Sequence, residues 1–137
     1  QESSRYNALN SLNMPIFTAR WPVPITLYHN PKCAKSREAL QLLRQHGIEP
    51  QIIEYLKTPP STSELAALVR ALGVHPRDLL RMKEPEYRAA GLGDPKLSDK
   101  QILSAMVKYP RLIERPILVK GKHAVLGRPP ENVLKLL

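Results

Sequence analysis

The chain has 137 residues, the length of one domain whose core needs no metal or disulfide brace. Hydrophobic residues make up 42% and charged residues 24%, which excludes a disordered chain, and no apolar run nears the roughly 20 residues of a membrane-spanning helix. The net charge of +9 attracts anions of any kind, from oxyanions to nucleic acid and acidic proteins. Aromatics are only 5%, and no helix-turn-helix, zinc-finger or RNA-recognition signature is visible, so nucleic acid is not the expected partner.

Residues 1–23 are Ser/Asn-rich, break at Pro15 and Pro22, and lack both an amphipathic period and the apolar core of a signal peptide. They read as a loosely ordered extension or an expression remnant, with a transit peptide as the weaker alternative. The chain begins at Gln1 rather than Met, and Met14 is a candidate internal start. This stretch holds Arg5, Arg20 and Glu2, so +8 of the charge belongs to residues 24–137, read as a single domain.

Ile25 to Tyr28 reads as a short buried strand, followed at once by the turn His29-Asn30-Pro31-Lys32. A helical pattern over Ser36 to His46 places Ala39, Leu40 and Leu43 on one face and stops at Gly47. Gln51 to Tyr55 is a second strand candidate, and Pro59-Pro60 then punctuates the chain. Ser61-Thr62-Ser63-Glu64 is a capping box opening a helix with Leu65, Leu68, Val69 and Leu72 on one face, ended by Gly73.

A helical insertion follows over about residues 74–110. Its parts are a short helix over Pro76 to Met82, another over Pro85 to Ala90, and a third opened by the capping box Ser98-Asp99-Lys100-Gln101. Pro116 to Val119 and Ala124 to Leu126, joined across Gly121-Lys122, read as a β-hairpin. Pro129-Pro130 suits the first turn of a closing helix. Two βα units, a helical insertion, a hairpin and a helix is the α/β order of a thioredoxin-like mixed sheet with flanking helices.

Cys33 is the only cysteine, so an internal disulfide is excluded and a reducing compartment such as the cytoplasm is expected. A lone cysteine is often an inert packing residue. This one, however, lies where a strand turns into a helix, and free N–H groups and the positive dipole end there favour a thiolate and bind anions. Lys32, Lys35 and Arg37 add positive charge, His29 adds more when protonated, and Ser36 is one turn beyond the sulfur. His46, His75 and His123 lack metal-ligand spacing and read as surface residues, so no metal site is expected.

The run His29-Asn30-Pro31-x-Cys33-x-x-Ser36-Arg37 resembles the active-site loop of the glutaredoxin-coupled arsenate reductase family. The likeness runs from about Ile25 to Leu137. It includes Tyr55-Leu56-Lys57-Thr58-Pro59-Pro60, Leu79-Leu80-Arg81, Glu86-Tyr87, Gly91-Leu92, Glu114-Arg115-Pro116-Ile117 and Gly127-Arg128-Pro129. The resemblance implies that Cys33 is the nucleophile, that His29 and Ser36 assist it, and that Arg81, Arg115 and Arg128 clamp the oxyanion. It implies that Pro116 is the cis-proline facing the nucleophile. It further implies arsenate reduction with glutathione as co-substrate and glutaredoxin as reductant, in a monomer with no bound cofactor. In one departure, Ala34-Lys35 stands where better-characterised members carry Gly-Thr, so a similar oxyanion is the alternative to arsenate.

Two other functions fit the same residues. One is a glutathione-dependent thiol oxidoreductase without arsenate activity. The other is a thioredoxin-like regulator that binds a protein partner, as a related group binds RNA polymerase. That group switches through a Cys-x-x-Cys pair, and Ser36 occupies the second position here, which excludes the internal disulfide switch.

Overall fold

The computed structural model describes residues 23–137. The reading of residues 1–23 therefore falls, except for Val23, outside the described residues. Four strands form one sheet in the order β2-β1-β3-β4. Strand β1 (Ile25–His29) runs parallel to β2 (Gln51–Glu54), and helix α1 (Ala34–Gln45) forms the crossover between them. Strand β3 (Ile117–Lys120) is antiparallel to β1 and turns through Gly121 and Lys122 into β4 (His123–Leu126). This is the mixed α/β sheet with flanking helices that the sequence pattern predicts.

Both faces of the sheet are covered, and the strand alternation sorts the core into two layers. Cross-strand partners Leu27 and Leu118 are fully buried against Ala39 and Leu43 of α1 and Val133 of the closing segment. Their neighbours Tyr28 and Ile117 pack in the opposite layer, with Leu65 and Leu68 of α2 (Thr62–Leu72) and Ile102 and Met106 of α4 (Asp99–Lys108). Both predicted capping boxes form, Ser61 with Glu64 and Ser98 with Gln101. Gly73 closes α2 at φ +71°, a left-handed cap that a side chain would strain.

The structure differs from the sequence reading in several elements. Helix α1 starts two residues early, at Ala34, which makes Cys33 its N-cap. Strand β2 stops at Glu54, because the N–H groups of Lys57 and Thr58 both donate to its carbonyl and turn the chain. The closing segment Pro130–Leu136 winds as a 3-10 helix, with the Asn132 amide donating to the Leu126 and Arg128 carbonyls.

The helix expected over Pro76 to Met82 is a 3-10 turn ending at Leu79. Leu80 is instead extended and pairs antiparallel with Ile113, flanked by Arg81 N–H to Leu112 O and Glu114 N–H to Leu79 O, both 2.8 Å. The short helix α3 (Pro85–Ala89) follows within the insertion. Pairing between segments 33 residues apart overrides the local helical preference, and it fixes Arg81 beside Glu114.

Candidate active site

Cys33 takes the N-cap position of α1 in an extended conformation, where Ser, Thr, Asp or Asn would normally accept from the first-turn N–H groups. The loop that holds it is short and internally bonded. Cys33 N–H donates to Asn30 O at 2.9 Å, Arg37 N–H to Cys33 O at 3.0 Å, and Lys32 N–H to Asn30 Oδ1 at 3.0 Å. Arg37 braces the loop from outside with a 3.0 Å bond to the Pro31 carbonyl.

Burial pushes the Cys33 thiol up, but the Ser36 N–H, the Arg115 guanidinium and the Lys35 N–H together hold it below its ordinary value of 9.0. Arg115 acts through both hydrogen bonding and charge. The sulfur thus sits at the positive end of a helix with one guanidinium beside it. Such a thiol is primed to act as a thiolate nucleophile.

Ser36 is fully buried, and its hydroxyl is the hub beneath the loop. It accepts from Asn30 N–H at 3.0 Å and lies 2.8 Å from His29 Nδ1. Burial lowers the pKa of His29, with Arg44 and Arg37 adding to the effect and Glu54 opposing it. A neutral ring accepting the Ser36 O–H at Nδ1 satisfies all three groups. His29 and Ser36 are therefore placed to brace the loop, while the cation that acts on the sulfur is Arg115.

The three predicted arginines come from three segments, and one carboxylate, Glu114, binds two of their guanidinium groups and the backbone N–H of the third. Glu114 Oε1 lies 2.5 Å from Arg81 Nη1 and 3.5 Å from Arg128 Nη1, and it accepts from the Arg115 N–H at 3.3 Å. Arg81 is also held by Glu84 at 3.2 Å, and Arg128 donates to the Arg115 carbonyl at 3.0 Å. Burial alone would lower Arg81, but Glu114 and Glu84 hold it above its ordinary value, so the fork stays charged. The Arg115–Pro116 peptide is cis, as the resemblance implies, and Gly127 N–H donates to the Pro116 carbonyl at 2.8 Å. The Arg128–Pro129 peptide is cis as well.

Glu114 is the member of this cluster that the sequence reading did not single out. An acid directly before a clamp arginine was its only local signal. Chemically, an acidified thiol stands beside the Arg115 guanidinium, with Arg81 and Arg128 on the adjoining Glu114, an arrangement that suits nucleophilic attack on an anion. Among the described residues, no group of three or more His, Cys, Asp or Glu side chains is placed to hold a metal ion, and no helix is long and apolar enough to cross a membrane.

Residues 28–136 match the model of the ArsC family. An arsenate reductase of Rhizobium meliloti is 46% identical over 113 residues, covering 82% of this chain and 81% of that protein. An uncharacterized Escherichia coli protein, YfgD, is 45% identical over 114 residues, covering 82% of this chain and 96% of that one. A solved structure of an arsenate reductase from Vibrio cholerae superposes with a TM-score of 0.83 at 49% identity, covering 85% of this chain and all of that one. The chain belongs to the ArsC family and has its thioredoxin-like fold.

Proposed function

We propose that this protein is an arsenate reductase that uses Cys33 as its nucleophile and Arg81, Arg115 and Arg128 as its oxyanion clamp. The observation that carries this reading is the Arg115 guanidinium beside a thiol already lowered by the N–H groups of Ser36 and Lys35. One guanidinium thus serves both partners of the reaction, stabilising the thiolate and drawing the anion to it. Relatives at 45% identity or more that are named arsenate reductases support arsenate as the anion.

In the proposed reaction the Cys33 thiolate bonds to arsenic(V) and an arsenate oxygen leaves as water. The thiol of glutathione then attacks this adduct. The S–As bond breaks, Cys33 and glutathione form a mixed disulfide, and the two electrons lost by the thiols reduce arsenic to arsenite. Glutaredoxin restores the Cys33 thiol by taking up the glutathione. Cys33 is the one cysteine of the sequence, so the second thiol comes from outside the chain. These steps use no bound cofactor, they suit a reducing cytoplasm, and one protomer supplies every residue named.

The test is arsenite release from arsenate with glutathione and glutaredoxin present. Turnover that depends on both reductants and disappears in Cys33→Ser supports the reading. Full thiol reactivity without arsenite release would leave a glutathione-dependent thiol oxidoreductase instead.

A further inference from the structure

Two buried donors at this end of the sheet have no hydrogen-bond partner among the described residues: the Tyr55 hydroxyl and Nε of Arg115. Tyr55 is only 1% exposed. Leaving a buried hydroxyl unpaired costs stability, so phenylalanine would fill the same space at lower cost. The hydroxyl therefore needs a reason beyond packing.

The topology places Tyr55 at the site. In the parallel register the last pair is His29 with Glu54, so Tyr55 leaves the sheet at the end where Asn30 opens the Cys33 loop. Strand β3 opens at Ile117 opposite Tyr28, which brings Arg115 and Pro116 to the same edge from the other side of β1. The Tyr55 ring packs in the core cluster that includes Leu112, Ile113 and Ile117, the residues bracketing Glu114–Pro116. The charges its hydroxyl senses are those of the site: Arg115, Cys33, Arg81 and Glu114. Burial, the largest influence, pushes the phenol up to about 12, so the group remains an O–H donor throughout the neutral range.

We propose that Tyr55 is a fourth arm of the clamp, its hydroxyl donating a hydrogen bond to an oxygen of the tetrahedral anion held between Cys33 and the arginines, with Arg115 Nε–H donating to the same anion. The proposal rests on the reading of the site as an oxyanion clamp. A neutral donor is well suited to this place. It fixes the orientation of the anion without adding a further charge to a pocket that already holds three guanidinium groups.

The experiment uses arsenate as the probe and compares wild type with Tyr55→Phe. The readouts are protection of Cys33 from iodoacetamide by increasing arsenate, the pH midpoint of alkylation without arsenate, the thermal midpoint, and arsenite release. Loss of one hydrogen bond to a charged acceptor predicts that Tyr55→Phe needs about tenfold more arsenate for half-protection. Its alkylation midpoint should match wild type and its thermal midpoint should not fall. Equal half-protection in the two proteins would overturn the proposal, as would a lower thermal midpoint with unchanged protection, the mark of a purely structural tyrosine. Absence of arsenate protection in wild type would overturn it too, for there would be no anion to hold. Wild-type protection without arsenite release, with Tyr55→Phe still weakened, would support the proposal and reject only the reductase reading.

Discussion

Arg81 Nη1 and Glu114 Oε1 lie 2.5 Å apart although 33 positions separate them in the chain. The antiparallel Leu80–Ile113 pairing puts Arg81 opposite Leu112 and Glu114 opposite Leu79, and the two long side chains meet diagonally across that pair. Glu114 therefore lies among the guanidinium groups of the clamp, reaching Arg128 as well as Arg81.

That placement makes Glu114 a competitor of any bound oxyanion. Glu114→Gln keeps an oxygen that can accept from Arg81 and from the Arg115 N–H but removes the negative charge. A like charge about 6 Å away costs an anion about 3 kcal/mol at an effective dielectric of 20, and solvent at the partly open rim reduces this. The half-protecting arsenate concentration should thus fall about three- to thirtyfold, read by iodoacetamide competition. The lost ion pairs should lower stability by about 1 kcal/mol. Weaker arsenate binding in Glu114→Gln would show instead that the carboxylate is needed to aim the arginines.

Arg115 should control the acidity of Cys33. The alkylation midpoint of wild type should lie below 9.0, and Arg115→Ala should move it upward. The sign for stability follows from the same shift. A thiol whose pKa is depressed on folding contributes stability that is present above 9.0 and is lost as pH falls through the folded value. The stability advantage of wild type over Cys33→Ser in urea unfolding should accordingly grow with pH. A wild-type midpoint at or above 9.0 would reject the activated nucleophile.

Ser36→Ala should loosen the nucleophile loop from below. It leaves the Asn30 N–H and His29 Nδ1 without their shared partner in a buried site, at about 1–3 kcal/mol for each group left unpaired. His29 adds a pH signature. Its pKa is lowered on folding, so wild type should lose stability as pH falls below 6.5 and through the folded value. Denaturant midpoints measured across that range should slope less in His29→Asn.

Gly127 is where the hairpin passes Pro116. A Cβ built there would meet Pro116 Cγ at 2.7 Å and Val133 Cγ1 at 3.2 Å. Both neighbours are buried, so Gly127→Ala must shift the segment that carries Arg115. Overpacking of this kind typically costs about 1–3 kcal/mol. A lower thermal midpoint together with reduced arsenate turnover is expected, and wild-type values for both would show that the segment yields freely.

Under mild oxidation with glutathione, each chain should take up one glutathione, on Cys33, because the sequence holds no second thiol. Intact-mass measurement before and after treatment with glutaredoxin tests this directly. A thiol that stays free would reveal Cys33 as an inert packing residue.

Much of this architecture was legible in residue order, because it is local. The apolar run of β1, the turn at Pro31-Lys32, the capping boxes at Ser61 and Ser98 and the glycine stop at Gly73 all act within a few residues. The position of Cys33 at a helix start was legible for the same reason. The proposal of Arg81, Arg115 and Arg128 as a clamp rests on resemblance, since nothing in the sequence around Arg81 distinguishes it from a solvated arginine.

What stayed hidden depends on contacts between distant segments. The Leu80–Ile113 pairing replaces an expected helical turn, since hydrogen bonds to a remote strand outweigh a weak local preference. Glu114 among the arginines and the unpaired Tyr55 hydroxyl beside them follow from that pairing and from the register of β2 on β1. Local propensities act over one or two turns of chain, whereas the guanidinium beside Cys33 belongs to Arg115, more than eighty positions away. Only when the sheet closes do those residues share one space.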